Sequence, residues 1–223
     1  MGNSIVGRLI RKDLYLNRWL IVLAIVGGFL SFLPTAIGDI GFFFGMVAFI
    51  TILIVFGLFV GMENVTRESR EKISVFIQCL PLSPSQYMAA KVIAALIAYG
   101  SVWLILTVVV IGLSLAIDDV PNGSVPTSAA IMGLLLANFC VLLAIGIITH
   151  SQRWTTAAII ITNTSITLMM ITLFNLPAIQ AIVGGAEVVW HPILKACIAM
   201  EAFMVIGAFA IMLYVHSRRT DFI

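Results

Sequence analysis

Charged residues are scarce in this chain. Asp, Glu, Lys and Arg make up 10% of its 223 residues, hydrophobic residues make up 61%, and the mean hydropathy is +1.15. A soluble globular domain carries about 25% charged residues, so this chain lacks the polar surface that water-soluble folds need. The composition excludes a soluble protein. It predicts an integral membrane protein with a single transmembrane domain over residues 1–223.

Sequence motifs for nucleotides, metals and catalysis are absent as well. The chain contains no G-x-x-x-x-G-K-[ST] phosphate loop, and no Gly-Lys pair occurs anywhere. H-E-x-x-H and G-x-S-x-G are missing, and the three Cys and three His residues are dispersed rather than spaced as metal ligands. We therefore expect no enzyme activity on this chain, no metal and no cofactor. The net charge of +2 gives no reason to expect nucleic-acid binding.

Long apolar runs account for most of the sequence. A helix needs about 20 apolar residues to cross the hydrocarbon core, whereas barrel strands alternate apolar and polar residues over about ten positions. The runs here are continuous, which predicts an all-α membrane protein with six transmembrane helices. Their predicted ranges are 19–38, 41–62, 87–117, 127–149, 154–175 and 193–216.

The connections between these spans differ in charge. Eleven of the twelve Lys and Arg residues fall on the side that holds both termini, and only Lys195 falls on the other side. Acidic residues, such as Asp39 and Glu187, occupy the connections on that other side. The positive-inside rule places the side rich in Lys and Arg in the cytoplasm. We therefore expect a multi-pass protein of the inner (plasma) membrane with both termini cytoplasmic.

Two short segments outside the spans have helical patterns. Residues 4–18 place four basic side chains within an arc of about 120°, which predicts an amphipathic helix lying in the membrane interface, either as a topology anchor or in contact with a cytoplasmic partner. Residues 177–191 contain an apolar run that is too short to span. They predict a re-entrant or surface-lying helix. The four basic side chains of residues 4–18 are Arg8, Arg11, Lys12 and Arg18.

One long polar segment, residues 63–86, separates the second and third spans. Four apolar residues in it are spaced i, i+3, i+4 and i+7, which is one face of a helix. Pro81 ends this helix, and Ser83-Pro84 is typical of a new helix start. The segment either binds a soluble partner or lies on the membrane surface. The residues expected to contact a partner are Glu63, Arg67, Arg70, Glu71, Ile73, Phe76, Ile77 and Leu80.

Polar residues inside the last two spans mark a candidate substrate path. The fifth span is rich in Thr and Ser, whose hydroxyls can bond to the helix's own carbonyls. Two interpretations of this polar span are open: it packs against other helices, or it lines a hydrated path. Glu201 lies about nine residues into the sixth span, where ionisable groups are rare. Three interpretations of Glu201 are open: it forms a buried ion pair with Lys195, it carries a proton, or it contacts the substrate. The candidate path residues are Asn163, Thr167, Asn175 and Glu201.

Three features together resemble a known family. They are the basic lead-in IVGRLIRKDLYLNRW, the charged helix that starts at Glu63 and ends in LPLSPSQYMAAK, and the six-span layout with both termini inside. Along nearly its full length the chain resembles permease subunits of ABC-2 type ATP-binding-cassette exporters. Haem-exporter permeases of cytochrome maturation are similar in size and are an alternative subfamily.

The resemblance implies a mechanism and partners. Two permease chains would pair, in a homodimer, and each would bind one of two separate ATPase subunits through the coupling helix within residues 63–86. Spans one, two and five would surround the substrate path, and residues 177–191 would close its outer side. The alternatives from other classes are a non-transporting membrane anchor or sensor for a cytoplasmic partner, and a membrane enzyme.

Overall fold

A computed structural model of the chain describes residues 2–34, 38–70, 84–116, 121–149 and 151–217. These ranges contain helices and no strand, and six of the helices are long and apolar enough to cross a membrane. The expectation of an all-α membrane protein is therefore confirmed. The six are α1 (Gly2–Leu30), α2 (Asp39–Arg70), α3 (Pro84–Ala116), α4 (Val125–Thr149), α5 (Gln152–Asn175) and α7 (Pro192–Ser217); α6 (Pro177–Val183) is short.

The amphipathic segment and the first apolar run form one helix. α1 continues without a break from Gly2 to Leu30, although the sequence predicted a separate interfacial helix over 4–18 and a span over 19–38. No Gly or Pro occurs from Arg8 to Val26, so nothing in the chain ends the helix at that junction. Instead α1 stops at Leu30, shortly before Pro34.

The first three long helices are longer than the hydrocarbon core of a bilayer is thick. α1, α2 and α3 have 29, 32 and 33 residues, which corresponds to about 43–50 Å at 1.5 Å per residue. The hydrocarbon core is about 30 Å thick, so each of these helices extends beyond it. The described range of α3 starts at Pro84, which agrees with the predicted helix start, since proline is well suited to the first helical position.

α4 lies at the centre of the fold. It contacts α2, α3, α5 and α7, whereas α1 packs mainly on α3 and α2. Of the most apolar part of α4, 72% is buried, against 17% for α5 and α7. The outer helices expose many large apolar side chains, including Phe203 of α7. Exposed apolar side chains on spanning helices are suited to contact with lipid.

Aromatic side chains fix the contact between α3 and α4. The Tyr99 ring stacks on Phe139 with the ring centroids 3.9 Å apart, and its hydroxyl donates a hydrogen bond to the Leu135 carbonyl at 3.2 Å. One turn further along α3, Trp103 Nε1 donates to the Met132 carbonyl at 2.8 Å. Tyr and Trp need such acceptors when they are buried, so these bonds set the position of α3 along α4.

The short helix α6 closes against the turn that precedes α4. The Gly123 N–H donates to the Gly185 carbonyl at 2.9 Å, and a Cβ on Gly123 would collide with the Ile182 carbonyl. This contact therefore requires glycine. Ile179 of α6 is fully buried and packs with residues of α4, α5 and α7. The prediction of a short helix within residues 177–191 is confirmed.

Candidate functional site

Four hydroxyl groups of α5, those of Thr162, Ser165, Thr167 and Thr172, donate to carbonyl groups of their own helix. Thr167 Oγ1 donates to the Asn163 carbonyl at 3.0 Å, and Thr172 Oγ1 donates to the Leu168 carbonyl at 2.8 Å. At the end of the helix, the Asn175 amide donates to the Ile171 carbonyl at 2.8 Å. Such bonds make Thr and Ser inexpensive in lipid. These hydroxyls therefore do not need another helix or water as a partner.

Asn163 differs from the hydroxyl-bearing residues of α5. It is half-buried, and its side-chain oxygen accepts no hydrogen bond within the described ranges. Asn163 and Thr167 are four residues apart and share one flank of α5, whereas Asn175 lies about 120° from Asn163 and about 80° from Thr167 around the helix. Thr167 and Asn175 are exposed on the single chain. The three predicted path residues of α5 therefore do not converge on an enclosed cavity.

Glu201 is buried between two helices. It is 3% exposed, and neither carboxyl oxygen has a hydrogen-bond partner among the described residues. The carboxyl group lies against Gly133 of α4, and a Cβ at Gly133 would collide with Glu201 Oε2. Close approach of helices at small residues is common in membranes. Glu201 is thus placed in the α4–α7 contact, separate from the exposed residues of α5.

The ion pair considered between Glu201 and Lys195 is not formed. Lys195 is exposed, and the part of the chain that the structure describes holds no ion pair between the two. The reason is helical geometry, because six residues turn a helix through about 600°. Lys195 therefore faces about 120° away from Glu201.

A buried ion pair lies elsewhere, at the start of α3. Lys91 Nζ is 2.9 Å from Asp13 Oδ2, and the two side chains are 8% and 4% exposed. Lys91 also lies over the Tyr87 ring, 5.9 Å from its centroid, and Asn17 donates its amide to the Asp13 carbonyl at 3.1 Å. In the sequence, the one sign of this pair is that Asp13 and Asn17 interrupt the apolar face of residues 4–18. Lys91 was one of the eleven basic residues that predicted the membrane orientation, and its pairing with Asp13 was not predicted.

Three of the eight predicted coupling residues lie within the described ranges. Glu63, Arg67 and Arg70 lie in the last turns of α2. Their helical position agrees with the predicted charged helix after the second span. The other five, Glu71, Ile73, Phe76, Ile77 and Leu80, lie outside the described residues.

An open depression is found at the start of α5. It has a volume of about 870 Å³ and is lined by Ser151, Arg153, Thr156, Ala157 and Ile160. None of the four predicted path residues lines it. Among the described residues, no three His, Cys, Asp or Glu side chains form a group that could hold a metal ion.

Comparison of the chain with protein families, with curated proteins and with solved structures finds no match. The functional argument therefore rests on the residues and their geometry.

Proposed function

We propose that the chain is the transmembrane subunit of an ABC-2 type ATP-binding-cassette exporter, in the plasma membrane with both termini cytoplasmic. The observation that carries the proposal is the connection between α2 and α3. α2 stays helical through Arg70, past the end of its apolar run, and the described range of α3 starts at Pro84. A charged segment of this length supplies a surface for a soluble partner. Because the sequence has no phosphate loop, ATP hydrolysis belongs to that partner.

The ion pair between Asp13 and Lys91 supports coupling at this place. Lys91 lies seven residues after Pro84, which is about two helical turns, and its partner is on α1. A push on the connection between α2 and α3 would therefore reach α1 as well as α3. Buried pairs of this kind hold two helices in one register when their geometry is good. This gives the ATPase a mechanical link to more than one span.

The substrate path in this proposal lies between two chains. The centre of the single chain is filled by α4 and by the stacked rings of Tyr99 and Phe139. Two polar side chains of α5, Thr167 and Asn175, face outward, since they are exposed on the single chain. A hydrated path along α5 therefore needs a second permease chain to enclose it. We propose a homodimer carrying two ATPase subunits.

Substitution at Phe76 tests the coupling helix. Phe76→Asp places a charge on the predicted apolar face of residues 73–80, and we expect it to abolish co-purification with the ATPase subunit while membrane insertion survives. Phe76→Leu is the matched control and should retain binding. Normal assembly and transport by Phe76→Asp would show that this face does not bind the ATPase. Binding without substrate-stimulated ATP hydrolysis in the unsubstituted complex would favour the anchor alternative.

Cysteine scanning tests the path along α5. Cysteines introduced at Asn163 and Thr167 should react with a water-soluble thiol reagent in at least one state of the ATP cycle. A cysteine at Ile166, which is 4% exposed, is the matched control and should not react. The scan needs a background in which Cys79, Cys140 and Cys197 are replaced. If Asn163 and Thr167 stay unreactive in every state, α5 does not line a hydrated path.

A further inference from the structure

Glu201 is a carboxyl group deep within a spanning helix. It lies nine residues after Pro192, about 14 Å along α7, and both of its oxygens are inaccessible and lack hydrogen-bond partners among the described residues. An ionised carboxylate is costly in such a place unless a positive charge or several donors surround it. The question is which positive species accompanies it.

Among the residues that the structure describes, no basic side chain faces Glu201 from the helices around it. α4, its main neighbour, contains no Lys, Arg or His, and its one titratable group, Cys140, belongs to the main core. α6 has no titratable residue, and Arg153 is at the far start of α5. On α7 itself the thiol of Cys197, one turn earlier, lies within electrostatic reach of Glu201, and Lys195 faces away.

The space beside Glu201 limits which positive species can lie next to its carboxyl group. Gly133 approaches so closely that one added Cβ would collide with Glu201 Oε2, and both carboxyl oxygens are buried. A metal ion needs room for several oxygen ligands, and an organic cation is larger still. A proton fits without moving either helix.

We propose that Glu201 is a proton-binding site at the contact between α4 and α7. The carboxyl group carries a proton while α7 lies against Gly133. When the two helices separate and water enters, the O–H bond breaks, the carboxylate keeps the electron pair, and the proton passes to water. Protonation therefore stabilises the packed arrangement and ionisation favours the separated one. This inference concerns the chain by itself and does not depend on an ATPase partner.

Infrared spectroscopy of the purified chain in lipid tests the protonated state. The unsubstituted chain should show the C=O stretch of a neutral carboxyl group at pH 7, and Glu201→Gln should lose that band. Glu187→Gln is the matched control, because Glu187 is an exposed acid, and it should keep the band. A chain without the band, or a Glu201→Gln variant that retains it, would overturn the proposal.

The pH dependence of thermal unfolding gives a second test. At pH values above about 4.3, where an ordinary glutamate loses its proton, the folded chain would hold one proton more than the unfolded chain. The folding equilibrium constant should then fall about tenfold for each rise of one pH unit, until Glu201 ionises in the folded state. This slope should vanish in Glu201→Gln and in Glu201→Ala and persist in Glu187→Gln. Retention of the slope in both Glu201 variants, or its absence from the unsubstituted chain, would refute a proton site.

Discussion

Asp13 and Glu201 are buried to the same degree, since each is 3% exposed, yet their surroundings differ. Asp13 lies 2.9 Å from Lys91 and joins α1 to α3 near the start of α3. Glu201 lies against Gly133 of α4, and its oxygens have no hydrogen-bond partner in the ranges that the structure describes. One acid is neutralised by a long basic side chain, and the other is packed against the smallest residue.

The difference follows from where each acid lies along its helix. Asp13 is in the amphipathic part of α1, where basic residues are frequent and a lysine stem can pack on apolar neighbours. Glu201 is in an apolar part of α7 that packs on a helix without basic residues. The first acid can remain charged because its pair is complete, whereas the second avoids the cost of burial only as a neutral group.

Loss of the lysine partner gives the largest expected effect. Lys91→Met removes the buried counter-ion of the Asp13 carboxylate and leaves the exposed Lys12 as its remaining basic neighbour, so we expect the free energy of unfolding to fall by about 3–5 kcal/mol. Chemical or thermal unfolding of the purified chain in lipid or detergent measures this.

Lys12→Met is the matched control for Lys91→Met. The Lys12 side chain is 61% exposed and 3.9 Å from Asp13, so its loss should change stability by less than about 0.5 kcal/mol. Equal effects of the two substitutions would mean that Lys91 contributes no more than an exposed charge.

The double variant Asp13→Asn with Lys91→Met sharpens the same point. Once both charges are gone, no uncompensated ion is buried, so the double variant should be more stable than the sum of the single losses implies. We expect a coupling energy of about 0.5–3 kcal/mol from a double-mutant cycle. Simple additivity of the two losses would show that Asp13 and Lys91 do not stabilise each other.

Gly133→Ala tests the other acid, and Gly207→Ala is its control. A Cβ at Gly133 would collide with Glu201, whereas a Cβ at Gly207 meets nothing within 4 Å. Alanine favours a helix over glycine by about 1 kcal/mol, so Gly207→Ala should be neutral or stabilising. Overpacking at Gly133 should make that variant about 1–3 kcal/mol less stable than the control. Equal stability would mean that the α4–α7 contact is loose.

Hydropathy predicted the six spans because a run of about 20 apolar residues has few alternatives to a spanning helix. An apolar run too short to span predicted the short α6, and the Ser83-Pro84 pattern predicted a helix start at Pro84, because proline is well suited to the first helical position. The single helix α1 was missed, since an amphipathic segment and an apolar segment look like separate elements even though no residue breaks the helix between them.

Helix neighbours were not predictable in the same way. Asp13 and Lys91 are far apart in the sequence, and their contact depends on α1 lying beside α3. Glu201 could be recognised as unusual from its depth, but its contact with Gly133 depends on α7 lying beside α4. Hydropathy states that a helix is in the membrane and says nothing about which helix it touches. The nearest basic residue in sequence, Lys195, was therefore the wrong partner.

Lys195→Ala gives the smallest expected effect and separates the two lysines. Lys195 is exposed and about 120° away from Glu201 around α7, so its removal leaves no buried charge behind. We expect stability to change by less than about 0.5 kcal/mol, and the pH slope of unfolding to stay as it is in the unsubstituted chain. A loss comparable to that of Lys91→Met would mean that Lys195 neutralises Glu201 after all. In that case the two acids would be stabilised in the same way, and the proton site would not be needed.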